Sequence, residues 1–112
     1  MSITIPPAEL EAAAADYGRT VYVITSTAEG PPRVTHTSVA FDGTTVRVRL
    51  GASASAEVGE RPTVALLWPA TRDQSMSLIA DGLASFDGPP GPDTEVAVEI
   101  TGAVRHRPAP PA

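Results

Sequence analysis

The sequence predicts a mainly β domain of about six antiparallel strands, closed or nearly closed into a barrel, with one leading helix and one inserted helix. Three observations carry this expectation. Residues 44–50 and 94–100 alternate apolar and polar side chains with period two, the pattern of a half-buried strand. Asp42-Gly43 sits between two such runs as a two-residue hairpin signal. The nearly continuous apolar run Thr63–Trp68 reads as a strand buried on both faces.

A chain of 112 residues has room for one domain and one core. The expected division is a single domain over 1–107 and a proline-rich tail over 108–112, too poor in backbone donors to join a central ladder. A hydrophobic share of 42% with a net charge of −5 is globular rather than disordered composition.

Taken in order, Pro6-Pro7-Ala8-Glu9 opens a helix, with proline in the first turn and an acid near the positive end of the dipole. Leu10, Ala14 and Tyr17 then fall on one stripe, and Gly18 stops it. Thr20–Thr25 is β-branched and aromatic, a strand composition. Glu29-Gly30-Pro31 turns the chain into a second strand over Arg33–Phe41, and the hairpin delivers the third over Thr44–Leu50. Gly51–Glu60 is a small-residue loop entering a short helix that Arg61-Pro62 ends. Thr63–Trp68, Ser75–Phe86 and Thr94–His106 supply the remaining strands, the last two joined by the rigid connector Asp87–Asp93. A barrel this small holds little inside, so a ligand belongs at its rim or between two copies.

Composition excludes several function classes. Without cysteine there is no disulfide framework and no thiolate zinc site. All eight basic residues are arginine, which rules out a lysine Schiff base and points to a G+C-rich bacterial genome. A pI near 4.8 with no arginine-rich run is not the footprint of a nucleic-acid binder. Met1–Pro7 lacks the basic region and apolar run of a signal peptide, and no stretch reaches the roughly 20 apolar residues of a membrane span. The cytoplasm is the expected compartment. Nucleophile elbows, phosphate loops ending in lysine and dinucleotide-binding glycine turns are all missing.

The element order, together with Val21–Thr25, the hairpin around Asp42-Gly43, Glu60–Pro69, Ser77–Ala84 and Gly102–Pro108, resembles the pyridoxamine 5'-phosphate oxidase-like family. That resemblance implies a six-stranded antiparallel split β-barrel of the FMN-binding type. It further implies a homodimer holding FMN at the subunit interface, and an oxidoreductase acting on a small organic substrate. The implied cofactor segments are Arg33–Ser38, Arg49–Gly51 and Ser53–Glu57, with Arg33, Thr35, His36, Thr37, Arg49, Ser53 and Ser55 as candidate binding residues. The loop after a strand and before a helix presents backbone N–H groups to a phosphate. Where flavin binders of this family carry a lysine or arginine in that loop, this chain has Ala52, Ser53, Ala54 and Ser55, which leaves Arg49 or Arg33 as the cation.

Each candidate also has a plainer reading. Ser53 and Ser55 are natural N-caps; His36 is a half-exposed strand histidine; Arg47 and Arg49 are a solvated or ion-paired strand face; Trp68 is core or dimer packing. His36 and His106 are the only histidines, hence the only axial candidates should a haem replace the flavin, and no local spacing brings them together with carboxylates as a metal site. A deazaflavin is a further ligand the resemblance allows. The alternative to a flavin protein is a cofactor-free split-barrel homodimer serving as a non-enzymatic binding module. No catalytic side chain is identified.

Overall fold

A computed structural model describes residues 2–110. Seven strands form one antiparallel sheet, ordered β1-β7-β4-β3-β2-β5-β6, and a further β6–β7 pairing closes six of them into a barrel. The strands are β1 (Ser2–Ile5), β2 (Thr20–Thr25), β3 (Arg33–Asp42), β4 (Thr45–Leu50), β5 (Thr63–Trp68), β6 (Ser77–Ser85) and β7 (Thr94–His106). The helices are α1 (Leu10–Ala14), extended by 3-10 turns at Pro7–Glu9 and Ala15–Tyr17, and α2 (Ala52–Glu60). No helix among the described residues is long and apolar enough to cross a membrane.

The six expected strands are present and β1 is additional. It is four residues long and has no ladder but β7, where Ser2–Ile5 pair with His106–Ala103. Beyond the end of β4, that stretch of β7 would otherwise be an open edge.

Alternation fills the barrel. Val21, Val23, Val46, Val48, Leu66, Trp68, Leu78, Val96 and Val98 point inward and are essentially inaccessible. Leu10, Ala13 and Ala14 of α1 and Ala54 and Val58 of α2 join the same core. Trp68 is fully buried and faces Phe41 at 6.2 Å between ring centroids, so its role here is packing. β5 is not buried on both faces as its apolar run predicts: Val64, Leu66 and Trp68 are buried, whereas Ala65 and Leu67 on the outer side are half-exposed.

The hairpin is displaced by one residue from the expected Asp42-Gly43. Asp42 pairs with Thr45, so the two turn residues are Gly43 and Thr44, with Gly43 at φ +63. Glycine therefore takes the first central position of the turn and not the second. Of the tail, residues 108–110 are exposed and outside any element, and the expectation for residues 111 and 112 lies outside the described residues.

Asp81 and Gly82 mark an irregularity in the long β6–β7 ladder. Asp81 pairs with Gly102 and Gly82 with Ile100, leaving Thr101 as an extra residue that donates from Oγ1 to the Asp81 carbonyl oxygen. The bulge moves the buried positions of β7 from 94, 96, 98 and 100 to 103. A Cβ at Gly82 would stand 2.5 Å from Val98 Cγ1 and 2.7 Å from the Glu99 carbonyl oxygen. Gly82→Ala is therefore expected to cost about 1–3 kcal/mol through overpacking against a barrel strand. Thermal unfolding should show a lowered Tm for that variant and almost none for Gly102→Ala, whose added Cβ meets nothing within 4 Å.

Glu99 accepts from Thr45 Oγ1 at 2.6 Å and from Thr44 Oγ1 at 2.9 Å, which ties the hairpin to β7. The Thr45 hydroxyl, then the Thr44 hydroxyl, hold its carboxyl below the usual range. Because the folded value is the lower one, this contribution to stability is present above the unfolded carboxylate pKa and is lost as pH falls through the folded one. Thr45→Val should move the Glu99 titration midpoint upward in an NMR pH series.

Candidate functional site

The barrel is held together between β3 and β4 by a short ladder. Only Val39–Asp42 pair with β4, while Arg33–Ser38 pair with β2 on the opposite edge. After Val48, β4 stays with β7 through Arg49 and Leu50. The two strands thus part company, and the backbone groups of residues 33–38 that face away from β2 have no ladder partner.

α2 packs against β2, β6 and β7 and links the two sides of this opening. Its first residues follow directly from the end of β4, and its Glu57 reaches the start of β3, where Arg33 Nε donates to Oε1 at 2.6 Å. Thr25 of β2 donates to the second carboxylate oxygen at 3.2 Å. Six residues of helix rise roughly 8–9 Å, close to twice the spacing of neighbouring strands. Each side of the split is thereby fixed, one covalently and one through an ion pair.

The start of α2 differs from the serine-capped helix read in the sequence. The N-cap is Gly51, with no side-chain capping bond and no acid in the first turn, so no side chain of that turn neutralises the first N–H groups. Ser55 is one turn inside the helix and fully buried; its hydroxyl donates back to Gly51 O at 2.8 Å, with the Gly91 carbonyl oxygen at 3.3 Å. It anchors the 87–93 connector and has no freedom to meet a ligand. Ser53 is exposed in the first turn.

The other candidates divide between two faces. Register with β2 puts Arg33, Thr35 and Thr37 opposite Thr25, Val23 and Val21, on the inward-turned face, where the two threonines are half-exposed beside the split. His36 is on the outer face, more open than the half-exposed strand position expected for it. It stacks on Tyr22 at 4.4 Å with a 14° interplanar angle and shares a 2.9 Å hydrogen bond with Thr20 Oγ1. His106, at the far end of β7, pairs its Nδ1 with Ser2 Oγ at 3.1 Å. The two histidines are engaged with different strands, and the described residues contain no group of three potential metal ligands.

Arg49 is on the outer face of β4 with Arg47. They meet Asp93 at 3.3 Å and Asp42 at 3.6 Å, the solvated ion-paired face that alternation predicts. Each pair is exposed, and such pairs contribute only about 0–1 kcal/mol. Of the cations near the split, Arg33 is committed to a carboxylate that is 13% exposed, whereas Arg47 and Arg49 are loosely held.

Two concavities adjoin these residues. A groove of 160 Å³ at the point of divergence is lined by Ser38, Val39, Ala40, Arg47, Arg49 and Glu95. A larger one of 460 Å³, under the 87–93 connector, carries Asp87, Asp93 and Glu95 against a single arginine, Arg47. Three carboxylates make the larger groove hostile to a phosphate despite its size. The smaller groove carries two arginines, Arg47 and Arg49, against the one carboxylate of Glu95. The sequence did not reveal Glu57 as the residue that ties up Arg33; the only signal was its place one helical turn and more beyond the loop.

No protein-family model matches the chain, and no curated protein matches it. Its solved structural relatives do. A Listeria innocua protein described as a pyridoxamine 5'-phosphate oxidase superposes with a TM-score of 0.69 at 15% identity, over 89% of this chain and 98% of its own. A FAD-binding protein from Mesorhizobium loti gives 0.68 at 11% identity, over 96% and 98% of the two chains. A protein described as an F420 reductase gives 0.61 at 16% identity, over 76% and 88%. At these identities the likeness is one of architecture: the chain has the split-barrel fold of the pyridoxamine 5'-phosphate oxidase-like, flavin-binding proteins.

Proposed function

We propose that the chain is a flavin-binding split-barrel protein that holds FMN at the β3–β4 split as a homodimer and serves as an oxidoreductase for a small organic substrate. The observation that carries this reading is an unpaired strand edge beside an uncapped helix N-terminus. The pyrimidine edge of a flavin alternates acceptor, donor and acceptor, and the free backbone groups of residues 33–38 offer the complementary alternation. The first-turn N–H groups of α2, Ser53 and Arg49 suit a phosphate. Thr35 and Thr37 supply hydroxyls between the two.

A bound flavin would supply hydride or single-electron transfer, which no side chain of this chain can perform. The residues around the split would orient the ring, neutralise the phosphate and limit water access. The structural neighbours described as FAD-binding and as an F420 reductase support a flavin-type ligand in this fold.

The competing reading, a cofactor-free binding module, is favoured by one specific observation: each arginine near the split already has a carboxylate, Glu57 for Arg33 and Asp93 for Arg49. The two readings separate in an absorption spectrum of the purified protein followed by an FMN titration read through quenching of flavin fluorescence. Saturable micromolar binding is expected, and Arg49→Ala should weaken it about tenfold, the loss of one charge-assisted hydrogen bond. Arg33→Lys, which keeps a cation for Glu57 and so the tie between α2 and β3, should change affinity far less. A colourless protein with no quenching would leave the binding-module reading standing.

A further inference from the structure

We propose that the crevice between the leading helical segment and β7 binds a small zwitterion, an amino acid with an apolar side chain, whose carboxylate meets Arg105 and whose ammonium meets Glu9. The crevice shares no residue with the two grooves beside the split and does not depend on the flavin reading.

An arginine occupies a core position. The ladders set Arg105 opposite Ile3 on one side and Leu78 on the other, and Ala103 opposite Ile5 and Ala80, so these side chains share the inward face of β7. Ile5, Leu78, Ala80 and Ala103 are buried there. Past the bulge, the inward series Val96, Val98 and Ile100 therefore continues as Ala103 and then Arg105. Alternation reserves such a position for an apolar side chain, and a half-buried cation has to be matched by an acceptor.

That match is missing. Of the eight arginines, only Arg61 and Arg105 are not exposed, and Arg61 holds Glu60 at 3.4 Å and donates to the Ser26 carbonyl oxygen at 3.3 Å. Arg105 has no ion pair among the described residues, and its Nε is shut off from solvent without a hydrogen-bond partner. A snorkelling arginine carries its whole head group into water, where each N–H finds an acceptor. Here part of the guanidinium is dry and unpaired, a cost that an anion drawn against it would offset.

The crevice supplies room and a second charge. It measures 260 Å³ and is lined by Ile5, Glu9, Ala12, Ala13 and Arg105. That is somewhat below the about 300–1,000 Å³ of drug-sized ligand sites, so the occupant is small. Glu9 ends the 3-10 turn that two prolines open, with its N–H donating to the Pro6 carbonyl oxygen at 2.9 Å. Glu9 and Arg105 line one cavity with opposite charges and form no ion pair with each other. A molecule carrying both charges on one carbon bridges them, while Ile5 and the methyl groups of Ala12 and Ala13 receive an apolar substituent. Glu9 repels a plain anion and Arg105 a plain amine, so the two together select the zwitterion.

NMR titration of the labelled protein with L-leucine, read at Ile5, Ala12 and Ala13, tests this. Saturable shifts are expected, with a dissociation constant below about 1 mM. Its analogues 4-methylpentanoate, without the ammonium, and 3-methylbutylamine, without the carboxylate, should each bind about tenfold more weakly, the loss of one charge-assisted contact. Glu9→Gln, at an exposed position, should weaken leucine but not 4-methylpentanoate. Arg105→Met should weaken leucine by about tenfold or more and, without ligand, leave Tm unchanged or raised, because it removes a cation that has no internal partner. Should Arg105→Met not fold, Arg105→Lys keeps the charge, loses the two-pronged contact and should still weaken leucine. Arg107→Met, which removes an exposed cation two residues on, should change neither affinity nor Tm. The proposal is overturned by the absence of saturable shifts with leucine, or by equal binding of leucine and both analogues. A Tm lowered alike by Arg105→Met and Glu9→Gln would also overturn it, since the two side chains would then be each other's partner.

Discussion

The architecture depends on one strand. β7 pairs with β6 along one edge and with β4 and then β1 along the other, so it closes the barrel and shields what would otherwise be exposed ladder. Thirteen residues cannot keep a single phase while serving three neighbours in a small closed sheet. The bulge opposite Asp81 and Gly82 resolves the conflict by shifting the inward set of side chains by one position, and only glycine permits the strands to approach there. The core then closes over Val96, Val98 and Ile100 on one side of the shift and Ala103 on the other.

Complete closure at β7 contrasts with partial closure between β3 and β4, and the contrast creates the candidate site. β3 gives Arg33–Ser38 to β2, whose whole length it pairs, and only Val39–Asp42 to β4, so the ladder with β4 is left incomplete. What keeps this opening from collapsing is α2, attached to β4 through Gly51 and to β3 through the Glu57 carboxylate. Glu57 is also held by Thr25 from inside the barrel. That carboxylate therefore does for the split what a ladder does elsewhere, at the cost of occupying Arg33.

Much of this was legible in the sequence, and the exceptions have physical causes. All six expected strands lie within two residues at each end of where period-two patterning and turn residues place them, and Thr20–Thr25, Thr63–Trp68 and Thr94–His106 match at both ends. β1 escaped because four residues before two prolines carry too little pattern, and its strand character comes from β7 rather than from its own composition. The hairpin shifted by one because either neighbour of a glycine can complete a two-residue turn, and the pairing of Phe41 with Val46 on the buried side chose between them. Ser55 looked like a cap because small hydroxyl residues precede helices; the helix instead began at Ala52, turning Ser55 inward. The site residues were legible as a segment but not as faces. In β3 the polar threonines turn inward and Val34 turns out, the inverse of normal alternation, so residue type alone does not tell the faces of this strand apart.

The electrostatics of the split explain why fold alone leaves its chemistry undecided. A phosphate arriving beside Ser53 must compete with Asp93 for Arg49, and an exposed pair of that kind yields for about 0–1 kcal/mol. A charge-assisted hydrogen bond to phosphate, together with the unneutralised first turn of α2, returns more than that. Arg33 is different, since freeing it would leave the Glu57 carboxylate, 13% exposed and facing the barrel, without its partner. Under the proposed function, anion binding here would be a contest over the exposed arginines of β4 rather than over Arg33, and the helix N-terminus, not a loop cation, would provide the remaining positive potential.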